Sequence, residues 1–335
     1  MGSQFVDLDA DGYTDYLTAT FDGSVHVAYG SDVGFAAPTH LLDAGGQRII
    51  LDYYWDHDKN QHLTDGRAMP GGEVRTERLI SALAWDWDGD GDRDLLLGSY
   101  ENGALYRQMN EGSDAEPKYT GVNIPVMAGG EPWVIPAKMT APQLVDWDGD
   151  GDMDLVTGSF EGEGAGGAVY LSLNDGEPGA PRFGALQTLI APSPLGWQER
   201  TRPDRGLYPA VLDYDGDGDL DLVVGGYAVW TPPAPELTAE QQARIVEAEA
   251  EQARLMAAQE QIYNRIGARI EELAEGLEPG TEAYQEKITA AYAEFQEELD
   301  ASRARLSPLF MELRELKPGP TTEGGIWLYE GIGQP

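Results

Sequence analysis

The sequence predicts a mostly β fold: a β-propeller of four-stranded antiparallel blades, four of them visible as repeats, with an antiparallel α-helical coiled-coil hairpin inserted in the last. Three observations carry this. An aspartate-rich stretch of nine residues occurs four times. Each copy is flanked by short apolar runs separated by glycine-containing turns, the signature of hairpin-connected strands. Residues 231–320 abandon that pattern for apolar positions spaced three and four apart, which is helical.

The repeats are "DLDADGYTD" (Asp7 to Asp15), "DWDGDGDRD" (Asp86 to Asp94), "DWDGDGDMD" (Asp146 to Asp154) and "DYDGDGDLD" (Asp213 to Asp221), all of the form D-x-D-x-D-G-x-x-D. Before each lies a first strand ("QFV", "ALAW", "PQLV", "PAVL"), and after each come two more, as in "LLLGSYENGALYRQ". A fourth run, such as "PRFGALQTLI", follows in the first three units, while the last unit stops at "GGIWLYEGIGQP". A repeat of this size with four strands suits propeller blades. Four units can form a small ring, or part of a larger one completed by further chain.

The spacing of the aspartates points to a cation cage. A hard ion of calcium's size takes six to eight oxygens from a tight loop. Loop positions 1, 3, 5 and 9 supply carboxylates, position 7 a backbone carbonyl, and the glycine at position 6 permits the positive φ of the turn. The first set is Asp7, Asp9, Asp11, Tyr13 (through its carbonyl) and Asp15. The second is Asp86, Asp88, Asp90, Asp92 and Asp94; the third Asp146, Asp148, Asp150, Asp152 and Asp154; the fourth Asp213, Asp215, Asp217, Asp219 and Asp221. About four calcium ions are expected. An EF-hand starts alike but needs a glutamate at position 12, where this chain has Thr18, Leu97, Thr157 and Val224. Leu51 to Gly66, with Asp56, Asp58 and Asn60, lacks the glycine and the ninth aspartate and reads as an ordinary loop.

The motif D-x-D-G-D-G-x-x-D, followed by "DLLLGS", "DLVTGS" or "DLVVGG", resembles the FG-GAP/VCBS repeat of integrin α-subunit propellers. The resemblance implies a calcium-bound propeller, usually extracellular, that serves in adhesion or presents a binding face. Such propellers commonly have more blades than the four seen here.

The domain reading is residues 1–230 for the blades, 231–320 for the hairpin and 321–335 for the closing strand. Thr238 and Gln241 form a capping box. Ile245, Ala248, Leu255, Ile262, Ile266 and Leu273 then lie along one helical face. Thr281 caps a second arm with its stripe at Ile288, Ala291, Phe295, Leu299, Leu306, Leu309, Leu313 and Leu316, and Pro308 is expected to bend it. The hairpin interrupts the turn between second and third strands, on the face opposite the aspartate loops. On that face the loops between blades hold the candidate ligand-binding residues Trp55, Trp133, Trp197, Arg200, Arg202 and Arg205, suited to a protein or glycan. The aromatics at loop position 2 (Trp87, Trp147, Tyr214) are expected to pack between blades.

A net charge of -37 excludes nucleic acid and anionic membrane surfaces as partners. No apolar run is long enough for membrane insertion, and the start lacks a signal peptide's features, although a leader may precede Met1 in the native protein. The expected setting is extracellular, cell-surface or periplasmic. Two alternatives to a binding scaffold stand: a lyase-like enzyme on polysaccharide, with His57, His62, Tyr53 and Tyr54 as its only concentrated candidates, and a structural subunit that forms an oligomer through the hairpin. No nucleophile or triad pattern appears, so binding is favoured over catalysis.

Overall fold

The computed structural model describes residues 2–64, 77–162, 164–194, 202–277 and 281–331. The chain divides into two compact units, Met1–Trp230 with Thr322–Pro335, and Thr231–Thr321. The first is built of small antiparallel sheets. Sheet 1 contains β1 (Ser3–Val6), β2 (Asp15–Ala19), β3 (Val25–Ala28) and β4 (Thr39–His40) in that order, and a hairpin of β5 (Tyr53–Asp56) and β6 (Gln61–Thr64) follows it. Sheet 2 contains β7 (Leu79–Trp85), β8 (Asp94–Ser99), β9 (Leu105–Gln108) and β10 (Ile124–Pro125), followed by the short pair β11 (Met127–Ala128) and β12 (Glu131–Pro132). Sheet 3 begins with β13 (Ala141–Val145) and β14 (Asp154–Gly158). A small pair, β15 (Glu161–Gly162) and β16 (Ala165–Gly166), precedes its outer strands β17 (Val169–Ser172) and β18 (Gln187–Ile190). Sheet 4 has β19 (Arg205–Leu212), β20 (Asp221–Trp230) and β21 (Thr321–Tyr329).

In every sheet the aspartate stretch joins the first strand to the second. The ninth-position residue opens the second strand opposite the last residue of the first: Asp15 faces Val6, Asp94 faces Trp85, Asp154 faces Val145 and Asp221 faces Leu212. The sheets pack in chain order. Leu17, Val25 and Leu41 of the first unit bury against Leu79, Leu95 and Leu97 of the second. Leu96, Leu105 and Trp133 meet Leu155, Tyr170 and Phe183 of the third. Val156, Val169 and Ile190 meet Leu207, Leu222 and Val224 of the fourth. No such cluster joins sheet 4 to sheet 1 among the described residues. The consequence is visible in exposure: β8 and β14 are buried along their whole length, whereas β21 is largely exposed.

First strands of successive sheets lie against one another. The Gln4 side-chain amide donates to the Ala84 carbonyl (3.3 Å) while its oxygen accepts from the Ala84 N–H (2.7 Å). Gln143 repeats half of this by accepting from the Val211 N–H at 3.1 Å. A glycine in the second strand makes the approach possible. A Cβ at Gly98 would lie 2.2 Å from the Thr140 carbonyl oxygen, and one at Gly158 would lie 1.9 Å from that of Leu207. The "GS" of the repeat is therefore a packing requirement between neighbouring sheets.

The position-2 side chains follow the same logic. Trp87 and Trp147 are buried against the next sheet, as expected from the sequence. Tyr214 is 62 % exposed, contrary to that expectation, because no described sheet follows sheet 4 to cover it.

The second unit is helical: α1 (Ala239–Leu273), α2 (Glu282–Glu294) and α3 (Gln296–Leu316). The Thr238–Gln241 capping box is formed, and the Thr281 side chain accepts from the Tyr284 N–H. Ala248 and Leu255 pack with Leu306 and Leu309, and Ile262 and Ile266 with Ala291 and Leu299, so α1 runs antiparallel to the return arm. That arm differs from the expected single helix bent at Pro308. It breaks at Phe295 (φ -109°, ψ 6°), which packs against the Ile262–Ile266 cluster under the Arg265 guanidinium, 4.7 Å from its ring. The helix α3 continues through Pro308 without interruption.

Candidate metal centres

The four loops share one backbone design. The first aspartate holds the interior N–H groups: Asp7 accepts from Asp11 and Gly12, and Asp213 from Gly216 and Gly218. Aspartates at positions 3 and 5 accept from the N–H two residues on, as Asp88 does from Asp90 (3.3 Å) and Asp90 from Asp92 (3.1 Å). Position 6 has positive φ in every loop: 91° at Gly12, 96° at Gly91, 99° at Gly151 and 98° at Gly218. Position 4 is left-handed too, and there the first loop carries a side chain, Ala10, at φ 57°. This second requirement was not read from the sequence, although the glycines at 89, 149 and 216 signal it.

The ninth aspartate does more than close a loop. Its Oδ2 accepts from the N–H of position 2 (Leu8, Trp87, Trp147, Tyr214) at 2.8–3.0 Å. Its Oδ1 accepts from an N–H beyond the third strand (Gly30, Asn110, Asn174, Gly331) at 2.7–3.0 Å. Asp15, Asp94, Asp154 and Asp221 are at most 2 % exposed. Each is a buried pin that ties its loop to two strands.

The remaining carboxylates converge. Ligand atoms of Asp7, Asp9 and Asp15 lie within 4.8 Å of one another, and so do those of Asp86, Asp88 and Asp90, of Asp146, Asp148 and Asp150, and of Asp213, Asp215 and Asp221. Position 7 adds an oxygen that sequence reasoning did not single out. Asp92, Asp152 and Asp219 each have a buried side-chain Oδ1 with no hydrogen-bond partner, in addition to the backbone carbonyl assigned from the spacing. Burial, then the charge of Asp90, pushes Asp92 up to about 6; burial, then Asp150, does the same to Asp152. Burial carries Asp94 to about 6 although two backbone N–H groups pull it down, and it also raises Asp154 and Asp219. Carboxylates held close with buried, unpartnered oxygens suit a hard divalent cation, which would relieve both the desolvation and the repulsion.

The other candidates do not assemble. Trp133 is 1 % exposed within the core between sheets 2 and 3, so it is a packing residue and no stacking platform. Trp55 sits half-buried in β5, edge-on to His62 at 4.8 Å. Arg205 lies in β19, 3.5 Å from the Glu161 carboxylate, and Arg202 precedes it. Trp197 and Arg200 lie outside the described residues. Among the groups considered for catalysis, Tyr53 donates its hydroxyl to Glu101 (2.8 Å), and burial with that bond pushes it up to about 12. Tyr54 is covered by Arg48, 4.5 Å from its ring. Asp56 turns the β5–β6 hairpin by accepting from the N–H groups of Asp58 and Lys59, the ordinary loop that was expected.

A family model for the FG-GAP-like repeat matches residues 86–157 and 146–224. No curated protein matches the chain. Repeats of this type are generally adhesion or binding scaffolds and are typically found outside the cell. Among the described residues, no helix is long and apolar enough to cross a membrane.

Proposed function

From the FG-GAP-like repeats that this chain carries, we propose that it is a calcium-stabilised extracellular scaffold whose four sheets are consecutive propeller blades and which binds a protein or glycan. The observation that carries the calcium reading is the fourfold recurrence of one loop. Each loop brings three aspartates within ligand reach of one another, and three loops keep a buried position-7 oxygen with no partner. Positions 1, 3, 5 and 7 would hold the ion, with position 9 contributing while it pins the backbone. Calcium bound there supplies charge cancellation and rigidity; the chain's own N–H groups already pre-form the loop, which lowers the ordering cost of binding.

Packing by successive sheets supports the blade assignment, with first strands adjacent and position-2 side chains inserted toward the next sheet. Ring closure is part of the proposal and would cover Tyr214 and Ile326 on sheet 4. The partner face is the one opposite the aspartate loops, where Trp55 is the aromatic left available. Calcium content of the exhaustively dialysed protein, followed by calorimetric titration after chelation, tests the reading. About four ions per chain are expected, and none bound would overturn it. A glycan and protein screen run in calcium and again in EGTA tests the binding role.

Assembly through the helical unit is the second reading. The antiparallel arms are proposed as a coiled coil, and Val246, Met256 and Phe310 are exposed on them in addition to the buried stripes. Light scattering of the chain with and without residues 231–320 distinguishes it: mass that falls on deletion supports assembly, and unchanged mass removes it.

A further inference from the structure

A second cluster of ligating side chains lies at the other end of strand β2 from the first aspartate loop, and it has different chemistry. Asp22 occupies the turn between β2 and β3, His26 lies in β3, and His40 lies directly opposite His26 in the β3–β4 register. The pairing sets the two imidazoles side by side, with ring centroids 4.3 Å apart. Both aim Nε2 at one oxygen: His26 at 3.0 Å and His40 at 3.4 Å from Asp22 Oδ2. The carboxylate is fixed from behind, since Oδ1 accepts from the Thr20 hydroxyl (2.6 Å) and the Ser24 N–H (2.9 Å), and Oδ2 accepts from the Ser24 hydroxyl (2.8 Å). The side chains are 5 %, 17 % and 33 % exposed for Asp22, His26 and His40, so the group is rigid yet reachable from solvent.

Two features of this cluster are not explained by hydrogen bonding alone. The Nε2 of His40 is buried and has no hydrogen-bond partner. The three ligand atoms all lie within 4.8 Å of one another. Around a tetrahedral ion with ligands at about 2.0–2.1 Å, ligand atoms stand roughly 3.3 Å apart, and the observed 3.0 and 3.4 Å bracket that spacing. Two imidazoles with one carboxylate suit a borderline transition-metal ion and not calcium. Burial, then His26 and Arg48, hold His40 below its usual range, which leaves its lone pair available at neutral pH. The opposing influence is Arg48, whose guanidinium approaches Asp22 Oδ2 at 3.9 Å and places a positive charge beside the site.

We propose that Asp22, His26 and His40 form a mononuclear site for a divalent transition-metal ion of the zinc class, with three protein ligands and a fourth position left to water. It is independent of the aspartate loops in both location and ion preference. The site locks the turn after β2 to β4, the shortest strand of sheet 1, which has only two residues to hold it.

The test is competition titration of zinc against a chromophoric chelator, on the full chain in millimolar calcium so that the aspartate loops are saturated. One zinc equivalent is expected, weakened by more than about tenfold in His40→Ala and in His26→Ala, and tightened in Arg48→Ala. Cobalt(II) in place of zinc should give the visible d–d absorption of a tetrahedral site in the native protein and lose it in His40→Ala. Melting in calcium verifies that the variants are folded, and His40→Gln, which keeps the volume, serves if His40→Ala is not. Zinc uptake that is absent, or that both histidine variants leave unchanged, overturns the proposal.

Discussion

In the helical unit, cations meet carboxylates across the two arms: Arg244 with Glu312, Arg265 with Glu298, Arg269 with Glu294 and Lys317 with Glu249. In the aspartate loops carboxylates meet carboxylates, and Asp92, Asp152 and Asp219 keep a buried oxygen without a partner. Both regions are strongly acidic, yet one resolves its charge with its own side chains and the other with backbone N–H groups that hold the aspartates in place without neutralising them. Stability of the helical unit should therefore depend on packing, and stability of the β unit on ions from solution.

The largest effect expected on one side of this comparison is that of Asp154→Ala. It deprives the Trp147 and Asn174 N–H groups of their buried acceptor and should cost about 3–5 kcal/mol, each charge-assisted bond contributing about 1.5–3. Denaturant titration of the strand signal measures this, and the loss should persist in saturating calcium because the pin is made to the backbone. On the other side, Leu299→Ala empties a buried position facing Ile262 and Ile266 and should destabilise the helical transition by about 2–4 kcal/mol. Calcium affinity measured calorimetrically should not change; a change would mean that the two regions are coupled.

Acidity provides a subtler contrast. Asp92, Asp94 and Asp152 are raised in the folded state to about 6 from an ordinary value of 3.8. Between those values the folded state holds protons that the unfolded state has released, so their contribution is fully present below about pH 4 and lost as pH rises through about 6. In EGTA the strand midpoint should accordingly fall between pH 5 and pH 7. With calcium bound the same carboxylates are stabilised as anions, and the trend should vanish or reverse. The smallest expected effect is that of Ala10→Gly, which relieves a left-handed alanine at φ 57°. A gain of about 1 kcal/mol or less is expected, confined to the first sheet and readable by hydrogen exchange.

Much of this was legible in the sequence because the loop imposes strict spacing. Each aspartate is required at a fixed step, and the flanking strands are short and begin at the ninth residue. Helix capping was equally local, and Thr238 and Thr281 act where they were placed. What escaped depends on neighbours. Trp133 reads as a loop tryptophan, but the next sheet buries it. Tyr214 reads as an inter-blade residue, but no described sheet covers it. Pro308 is the usual cause of a bend, yet the arm breaks at Phe295, whose backbone departs from helical geometry where its ring joins the core. Asp22, His26 and His40 form no motif, since only the β3–β4 register brings His40 to the other two.

The central claim, that the β unit depends on divalent ions and the helical unit does not, is tested most directly by thermal unfolding followed by far-UV circular dichroism, in millimolar calcium and then in excess EGTA. Ions that bind only the folded loops stabilise them by mass action. The account predicts that EGTA lowers the strand midpoint markedly while the helical signal melts where it did before. Coincident midpoints in the two solutions, with no calcium retained by the protein, would contradict it.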